Sequence, residues 1–256
     1  MPLISVITIN YNNAVGLQKT VDSVIAQSFK DFEFIVIDGN SSDESANIIK
    51  QNSRIDQWII EKDAGIYDAQ NKGILKARGD YLLFLNSGDV LAGPEVLERI
   101  SKYLSGRKSF YYGNLILDTN GVQEKHFASE SVDIDFMLNS TFWHPCVFVR
   151  SDLFDIHGLY NTSFKITGDY EFFIRCLLKP GVTTEYINEF ITIFDGNGIS
   201  NDSSQDELQL QEREKAWKIN ISDIIYESLK KQNSFSRSRY ASVINSMQKL
   251  RGKQSF

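Results

Sequence analysis

Three aspartates in this 256-residue chain stand where short apolar runs give out, and that placement is what could give them chemistry. Asp38 closes the run Phe32–Ile37, Asp43 follows in the same polar turn, and Asp89 ends Asn86-Ser87-Gly88-Asp89, just after Tyr81–Leu85. Carboxylates at the carboxyl ends of strands in an α/β sheet suit a ribose hydroxyl or a hard divalent cation. Asp38 and Asp43 equally suit turn and helix-cap positions, and spacing leaves both readings open. Neither the dinucleotide fingerprint G-x-G-x-x-G nor the phosphate-loop pattern G-x-x-x-x-G-K-[ST] occupies the first strand-to-helix turn, which reads Tyr11-Asn12-Asn13. Nicotinamide and ATPase chemistry are thereby disfavoured. A nucleotide diphosphate bound here would need its charge neutralised another way, and a metal on Asp89 would do it.

The elements that must position these groups are legible in the apolar pattern. Leu3–Asn10, Phe32–Asp38, Trp58–Glu61 and Asp80–Leu85 read as strands, and the first two are too continuously apolar to have a solvent face, as in a parallel sheet covered on both sides. Leu17, Thr20, Val21, Val24 and Ile25 have the spacing of an amphipathic helix. Further helices are expected from the cap-rich turn at Asn40 to about Asn52, over Tyr67–Ala77, and from Pro94 to about Leu104. The order β-α-β-α-β-α-β predicts a doubly wound sheet. Beyond Ser109 the pattern becomes mixed: a hairpin of Phe110–Leu117 and Gln123–Ala128 around an Asn-Gly turn, strands at Pro145–Arg150 and Ile187–Phe194, and a helix at Asp169–Leu178. From about Gln205 the chain reads as polar helix, with Leu210, Trp217, Ile221, Ile224 and Ile225 on one face and Tyr240, Val243, Ile244, Met247 and Leu250 forming a second stripe.

The composition, 42% hydrophobic and 23% charged, is that of a folded globular chain. Its apolar runs are far short of the roughly 20 residues of a spanning helix. The N-terminus has no basic start or long apolar core, and Cys146 and Cys176 form no metal or C-x-x-C pattern; together these lead us to expect a cytoplasmic protein with free buried thiols. The net charge of −6 argues against general nucleic-acid binding. Residues 229–256 nevertheless carry seven basic and no acidic side chains, so tail and body should meet different partners.

Several ordered segments resemble the family-two glycosyltransferases of the GT-A fold. "SVITINYNN" resembles their first strand, with Asn10 near the customary proline; "FEFIVIDGNSSDES" resembles the second strand and its D-G-S-x-D turn; "EKDAGIYDAQNKGILKARGDYLLFLNSGD" is similar to the helix and strand that precede the metal motif; and "HPCVFVRSDLFDIHGLYNTSFKITGDYEFFIRC" resembles the acceptor-side segment. The resemblance covers about residues 3–200. It implies a GT-A catalytic domain over 1–204, with a nucleotide-binding half at 1–108 and an acceptor half at 109–204, followed by a helical basic extension at 205–256.

The resemblance also implies roles. Asp38 and Tyr11 would hold the nucleoside of a nucleotide-diphosphate sugar, with a UDP-sugar the expected donor, and Asp68 is a donor-side candidate that also suits a helix start. Where most of the family has D-x-D-D, this chain has Asn86-Ser87-Gly88-Asp89, which implies a one-carboxylate site: Asp89 would ligate Mn²⁺ or Mg²⁺, completed by diphosphate oxygens and water, with Asn86 beside it. Asp169 matches the family's E-D motif, with Gly168 in place of glutamate, and is assigned as the base that deprotonates the acceptor in an inverting transfer; a helix N-terminus alone would also favour an acid there. His144 falls near the acceptor or diphosphate, whereas His126 and His157 have no motif around them. Phe194–Ser200 resembles a loop that could close over the diphosphate. The Q-x-x-R-W motif of processive synthases is missing from the sequence, so one sugar per encounter is expected, on a saccharide or lipid-linked acceptor of bacterial surface polysaccharide synthesis. The basic terminal helix could lie on the inner face of an anionic membrane; a homodimer interface or a solubilising tail are the alternatives. The thinned metal motif leaves a second reading, a catalytically silent nucleotide-sugar binding or scaffold protein.

Overall fold

The computed structural model describes residues 1–196 and 203–233. The order is β1 (Ile4–Asn10), α1 (Ala14–Ile25), β2 (Phe32–Asp38), α2 (Ser45–Gln51), β3 (Gln57–Ile60), α3 (Ile66–Lys76), β4 (Tyr81–Phe84), β5 (Val90–Leu91), α4 (Val96–Leu104), β6 (Phe110–Thr119), β7 (Val122–His126), α5 (Ile134–Asn139), β8 (Val147–Arg150), α6 (Asp152–His157), α7 (Gly168–Leu177), β9 (Thr184–Asp195) and α8 (Asp206–Asn220). The strands form one mixed sheet in the order β3-β2-β1-β4-β8-β6-β9-β5, with β7 paired to β6. This is the expected α/β architecture.

Strands β1 to β4 are parallel, and their alternate side chains feed two cores. Ile7, Ile35, Ile37, Leu82 and Phe84 pack with Tyr67 and Ile74 of α3 and the phenylalanines of α7. Ile4, Val6, Phe34, Val36 and Leu83 pack on the other face with Leu17 and Val21 of α1 and Leu97 and Ile100 of α4. Burial on both faces is why the runs read as continuous. Because β2 lies on one side of β1 and β4 on the other, the connections leave β1 in opposite directions, opening a crevice at the carboxyl ends of β1 and β4.

The second half closes the far side of that crevice. The β6–β7 hairpin turns through Asn120 and Gly121, both at positive φ (55° and 85°), as the Asn-Gly signal predicts. Strand β9 runs parallel to β6, and its end pairs antiparallel with β5, Val90 opposite Ile193. Continuing that register sets Gly88 opposite Asp195. An aromatic cluster, with Phe84 stacked on His144 at 4.8 Å and Phe154 on Phe172 at 4.4 Å, fixes α7 against the end of β4.

Helix α8 packs on α7 through a buried Trp217, whose indole donates to the Tyr170 hydroxyl at 2.7 Å. The apolar face expected from Leu210 to Ile225 is not continuous. Within α8 Trp217 is buried while Leu210 is exposed, and the backbone turns extended at Ile221, after the end of the helix, with Ile224 and Ile225 exposed beyond it. The stripe from Tyr240 to Leu250 and most of the basic tail lie outside the described residues. Among the described residues no helix is long and apolar enough to cross a membrane.

Candidate active site

The loops after β1 and β2 are stitched together by short polar side chains. Asp38 is fully buried: its Oδ1 accepts from the Ser41 N–H at 2.8 Å, and its Oδ2 from Asn10 Nδ2 and the Ser41 hydroxyl, each at 2.7 Å. The Ser42 N–H donates to Asn12 Oδ1, and the Ala14 N–H to Asp43 Oδ2, both at 2.8 Å. A hydrogen bond from the Ser45 hydroxyl, ahead of those from backbone N–H groups, holds the Asp43 carboxyl below its ordinary pKa. Asp38 thus organises the wall of the crevice from within, and Asp43 ties the two loops together at the surface.

Above this layer lies a cavity of about 420 Å³ lined by Asn10, Tyr11, Asn13, Asp63, Gly65, Ile66, Asn86, Asp89 and others. Tyr11 is 68% exposed at its mouth. A Cβ at residue 39 would lie 3.1 Å from the Tyr11 ring and 2.7 Å from Asp63 Oδ2, so a larger residue there would push against both side chains, which bracket this part of the crevice. Asp63 was not singled out from sequence, although its segment was. Asp68 lines neither this cavity nor the one described below. Its carboxylate accepts from the Ala64 N–H at 3.0 Å and pairs with Lys72 at 3.4 Å, fastening the start of α3.

The floor is the Asn86–Asp89 turn. Thr20 on α1 accepts from the Gly88 N–H at 3.0 Å and donates to the Asp89 carbonyl at 2.7 Å, and Gly88 takes a φ of +109°. Asp89 is 3% exposed and accepts from the Asp195 N–H at 3.0 Å. Burial first, and the Asp195 carboxylate after it, push its pKa up to about 7 despite that hydrogen bond. The Asp195 carboxylate hangs over the turn, 3.2 Å from where a Cβ on Gly88 would be. Asn86 Oδ1 and Ser87 Oγ are buried and have no hydrogen-bond partner.

Among the described residues, no group of three or more His, Cys, Asp or Glu side chains could by itself hold a metal. The residues present nevertheless fit a hard cation bound mainly by non-protein oxygens: one carboxyl uneasy without a counter-charge, a second beside it, and an unpaired amide oxygen. Asp195 was not expected from sequence as a member of this group.

A second cavity, of about 300 Å³, shares Ile66, Asn86 and Phe194 with the first, so the two form one cleft. Asp169 lines it from the first turn of α7, with its Oδ1 3.0 Å from the Tyr67 hydroxyl. His144 lines it too, its Nε2 3.0 Å from the Tyr160 hydroxyl, and burial lowers its pKa so that it is neutral at pH 7. Three lining residues, Gln70, Asn86 and Thr141, each hold a buried polar atom without a hydrogen-bond partner, and His126 Nε2 lies 3.8 Å from the Glu124 carboxylate. Phe142, Trp143 and Phe194 supply aromatic faces. Unpaired polar atoms beside aromatic rings match a ligand with hydroxyls around an apolar ring face. His126, read from sequence as an ordinary loop histidine, belongs to this lining, and Gln70 was not anticipated.

The loop before Asp169 is held from α8. Glu212 is buried and accepts from the backbone N–H groups of Lys165, Ile166 and Thr167 at 2.6, 3.0 and 2.9 Å. Replacing Glu212 by Ala would leave these donors unpaired, and we expect a loss of about 2–4 kcal/mol, read from the urea midpoint. A loss under about 0.5 kcal/mol would show that α8 does not anchor the loop.

Comparison with known proteins agrees with this architecture. A solved structure of Staphylococcus aureus TarS (residues 1–349) in complex with UDP-GlcNAc superposes with a TM-score of 0.62 at 19% identity, over 79% of this chain and 61% of that one. The mannosyltransferase PcManGT of Pyrobaculum calidifontis, solved with GDP-Man and Mn²⁺, gives 0.57 at 13% identity, over 75% and 56%. The chain spans about three fifths of the length of these solved structures, and the fold is that of a GT-A glycosyltransferase. The family model "Glycosyl transferase family 2" matches residues 5–166. A PGL/p-HBAD biosynthesis glycosyltransferase of Mycobacterium bovis is 31% identical over 209 residues, 78% of this chain and 80% of its own length. A glycosyltransferase of Mycobacterium tuberculosis is 36% identical over 214 residues, 78% of each. The chain belongs to glycosyl transferase family 2 and is a glycosyltransferase.

Proposed function

We propose that this enzyme moves one sugar, with inversion, from a nucleotide-diphosphate donor, a UDP-sugar, to a saccharide or lipid-linked acceptor used in surface polysaccharide or glycolipid synthesis. The observation that carries the reading is the continuous cleft, with Tyr11 and Asp63 at one end, Asn86 and Asp89 in the middle and Asp169 at the other. Tyr11 and Asp63 hold the base, and Asp38 keeps their loops in place through Asn10 and Ser41. Asp89, Asp195 and Asn86 would hold Mn²⁺ or Mg²⁺, which when bound would supply charge neutralisation to the diphosphate. Gln70, Thr141 and the aromatic faces orient the transferred sugar.

Asp169 takes the proton of the acceptor hydroxyl as its oxygen attacks the anomeric carbon. The bond from that carbon to the diphosphate breaks on the opposite side, where the cation site lies, so a single displacement inverts the centre. TarS with UDP-GlcNAc and PcManGT with Mn²⁺ support the donor class and the cation. The basic composition of residues 229–256 supports an acceptor at an anionic membrane surface.

The test is a panel of UDP-, GDP-, dTDP- and CMP-sugars, bound with and without Mn²⁺ or Mg²⁺ and then followed for nucleotide release. Metal-enhanced binding of one diphosphate sugar with slow release is expected. Binding without release above background would make the protein a silent nucleotide-sugar binder. No binding would overturn the assignment of the cleft.

A further inference from the structure

We propose that Tyr67 is the positioning residue of the base: its hydroxyl holds Asp169 Oδ1 so that Oδ2 faces the acceptor. The inference rests on the reading of Asp169 as the base. Tyr67 is in the first turn of α3, in the donor half, and its hydroxyl reaches across to the acceptor half, 2.6 Å from the Ile166 carbonyl and 3.0 Å from Asp169 Oδ1. Among the described residues no hydrogen bond reaches Asp169 Oδ2, and both residues line the same cavity.

The contact is built into the backbone. A Cβ on Gly168 would lie 2.7–2.8 Å from three atoms of the Tyr67 ring. The glycine beside the base therefore gives the ring its place, and a larger residue at 168 would displace it. One turn further along α3, Asn71 locks the same two segments reciprocally, donating to the Tyr160 carbonyl at 2.9 Å and accepting from the Tyr160 N–H at 3.0 Å. The position of Tyr67 relative to α7 is thereby fixed by more than its own hydroxyl.

Tyr67 donates one proton, shared between Ile166 O and Asp169 Oδ1, and keeps it throughout. Burial, with the Asp169 charge next, holds its pKa well above the ordinary tyrosine value. In the transfer, the acceptor proton goes to Asp169 Oδ2, the new glycosidic bond forms and the bond to the diphosphate breaks. The other groups facing Asp169 are His144, neutral through burial, and the Tyr160 hydroxyl, likewise held protonated by burial. On its own helix the nearest charges, Glu171 and Arg175, are paired with each other at 2.9 Å. Among the described residues Tyr67 is thus the one group in this surround that hydrogen-bonds the carboxylate, and its loss should free the carboxylate to turn away from the acceptor.

The experiment compares Tyr67→Phe with the intact protein in nucleotide release from UDP-GlcNAc, or whichever panel donor is turned over, with Mn²⁺ and water as acceptor. Tyr67→Phe should lower kcat about 10- to 100-fold, since a hydrogen bond to a charged group is lost. It should leave donor KM and donor affinity within about twofold, so that the loss falls on kcat. Gly168→Ala, which keeps the hydroxyl but displaces the ring, should lower kcat in the same way. Tyr81→Phe, which removes a buried hydroxyl that donates to the Lys108 carbonyl, should change neither kcat nor KM. Unaltered kcat in both Tyr67→Phe and Gly168→Ala, with Asp169→Asn inactive, would overturn the role of Tyr67 while leaving the base in place. An active Asp169→Asn would instead remove the base and this proposal with it.

Discussion

Asp169→Asn should lower turnover by about 10²–10⁴-fold, the range that a positioned general base contributes, while donor binding stays near that of the intact enzyme. The substitution preserves shape and the contact with Tyr67 but removes the group proposed to take the acceptor proton. Donor affinity should persist because the proposed nucleoside and cation sites, around Tyr11, Asp63 and Asp89, line the other part of the cleft. Calorimetric titration of the donor alongside a nucleotide-release assay separates the two effects. Loss of donor binding together with turnover would mean that Asp169 supports the donor.

Asp89→Ala should abolish the cation dependence of donor binding, with a loss exceeding the roughly 10- to 100-fold that outer partners of a metal site cost. The pH dependence in the intact enzyme has a definite sign. Burial and Asp195 push the Asp89 carboxyl up to about 7, so a cation must displace a proton below that pH. Apparent Mn²⁺ affinity should therefore fall about tenfold per unit as pH drops from 7 to 5, and level off above about pH 8. Asp195→Asn should lower Mn²⁺ affinity and move this transition to lower pH, because the neighbouring negative charge is gone. Equal Mn²⁺ affinity at pH 5.5 and pH 8 would remove Asp89 from the cation site.

The strand-end residues were legible because a parallel sheet buried on both faces leaves few places for polar groups, and the pattern located them. Tyr11, Asn86 and Asp89 line the cleft, as does Asp169, which the family resemblance and not the strand pattern singled out. Asp38 and Asp43 could be read as ligands or as turn residues, and the structure buries Asp38 and leaves Asp43 exposed, each bonded to the chain at or beyond the end of the neighbouring strand β1. Which way a strand-end carboxylate faces depends on whether neighbours such as Asn10 and Ser41 can reach it, and a linear pattern does not carry that.

Asp195 meets Asp89 across 106 positions of sequence only because β9 pairs with a two-residue strand too short to be read. Tyr67 and Glu212 matter through contacts with the segment 165–169 that arise only when α3 and α8 pack against α7. The short helices Ile134–Asn139 and Asp152–His157 escaped detection because one or two turns carry no readable period.

On the proposed reading one cleft holds the whole donor, with its cation at Asp89 and its sugar beside Asp169. The most direct measurement is a crystal structure with Mn²⁺ and an intact UDP-sugar, the ion placed by its anomalous signal. We predict the ion within bonding distance of an Asp89 carboxylate oxygen, the base against Tyr11 and Asp63, and the anomeric carbon on the Asp169 side of the diphosphate. An ion away from Asp89, or a donor lying in the opposite sense with its base beside Asp169, would contradict the account.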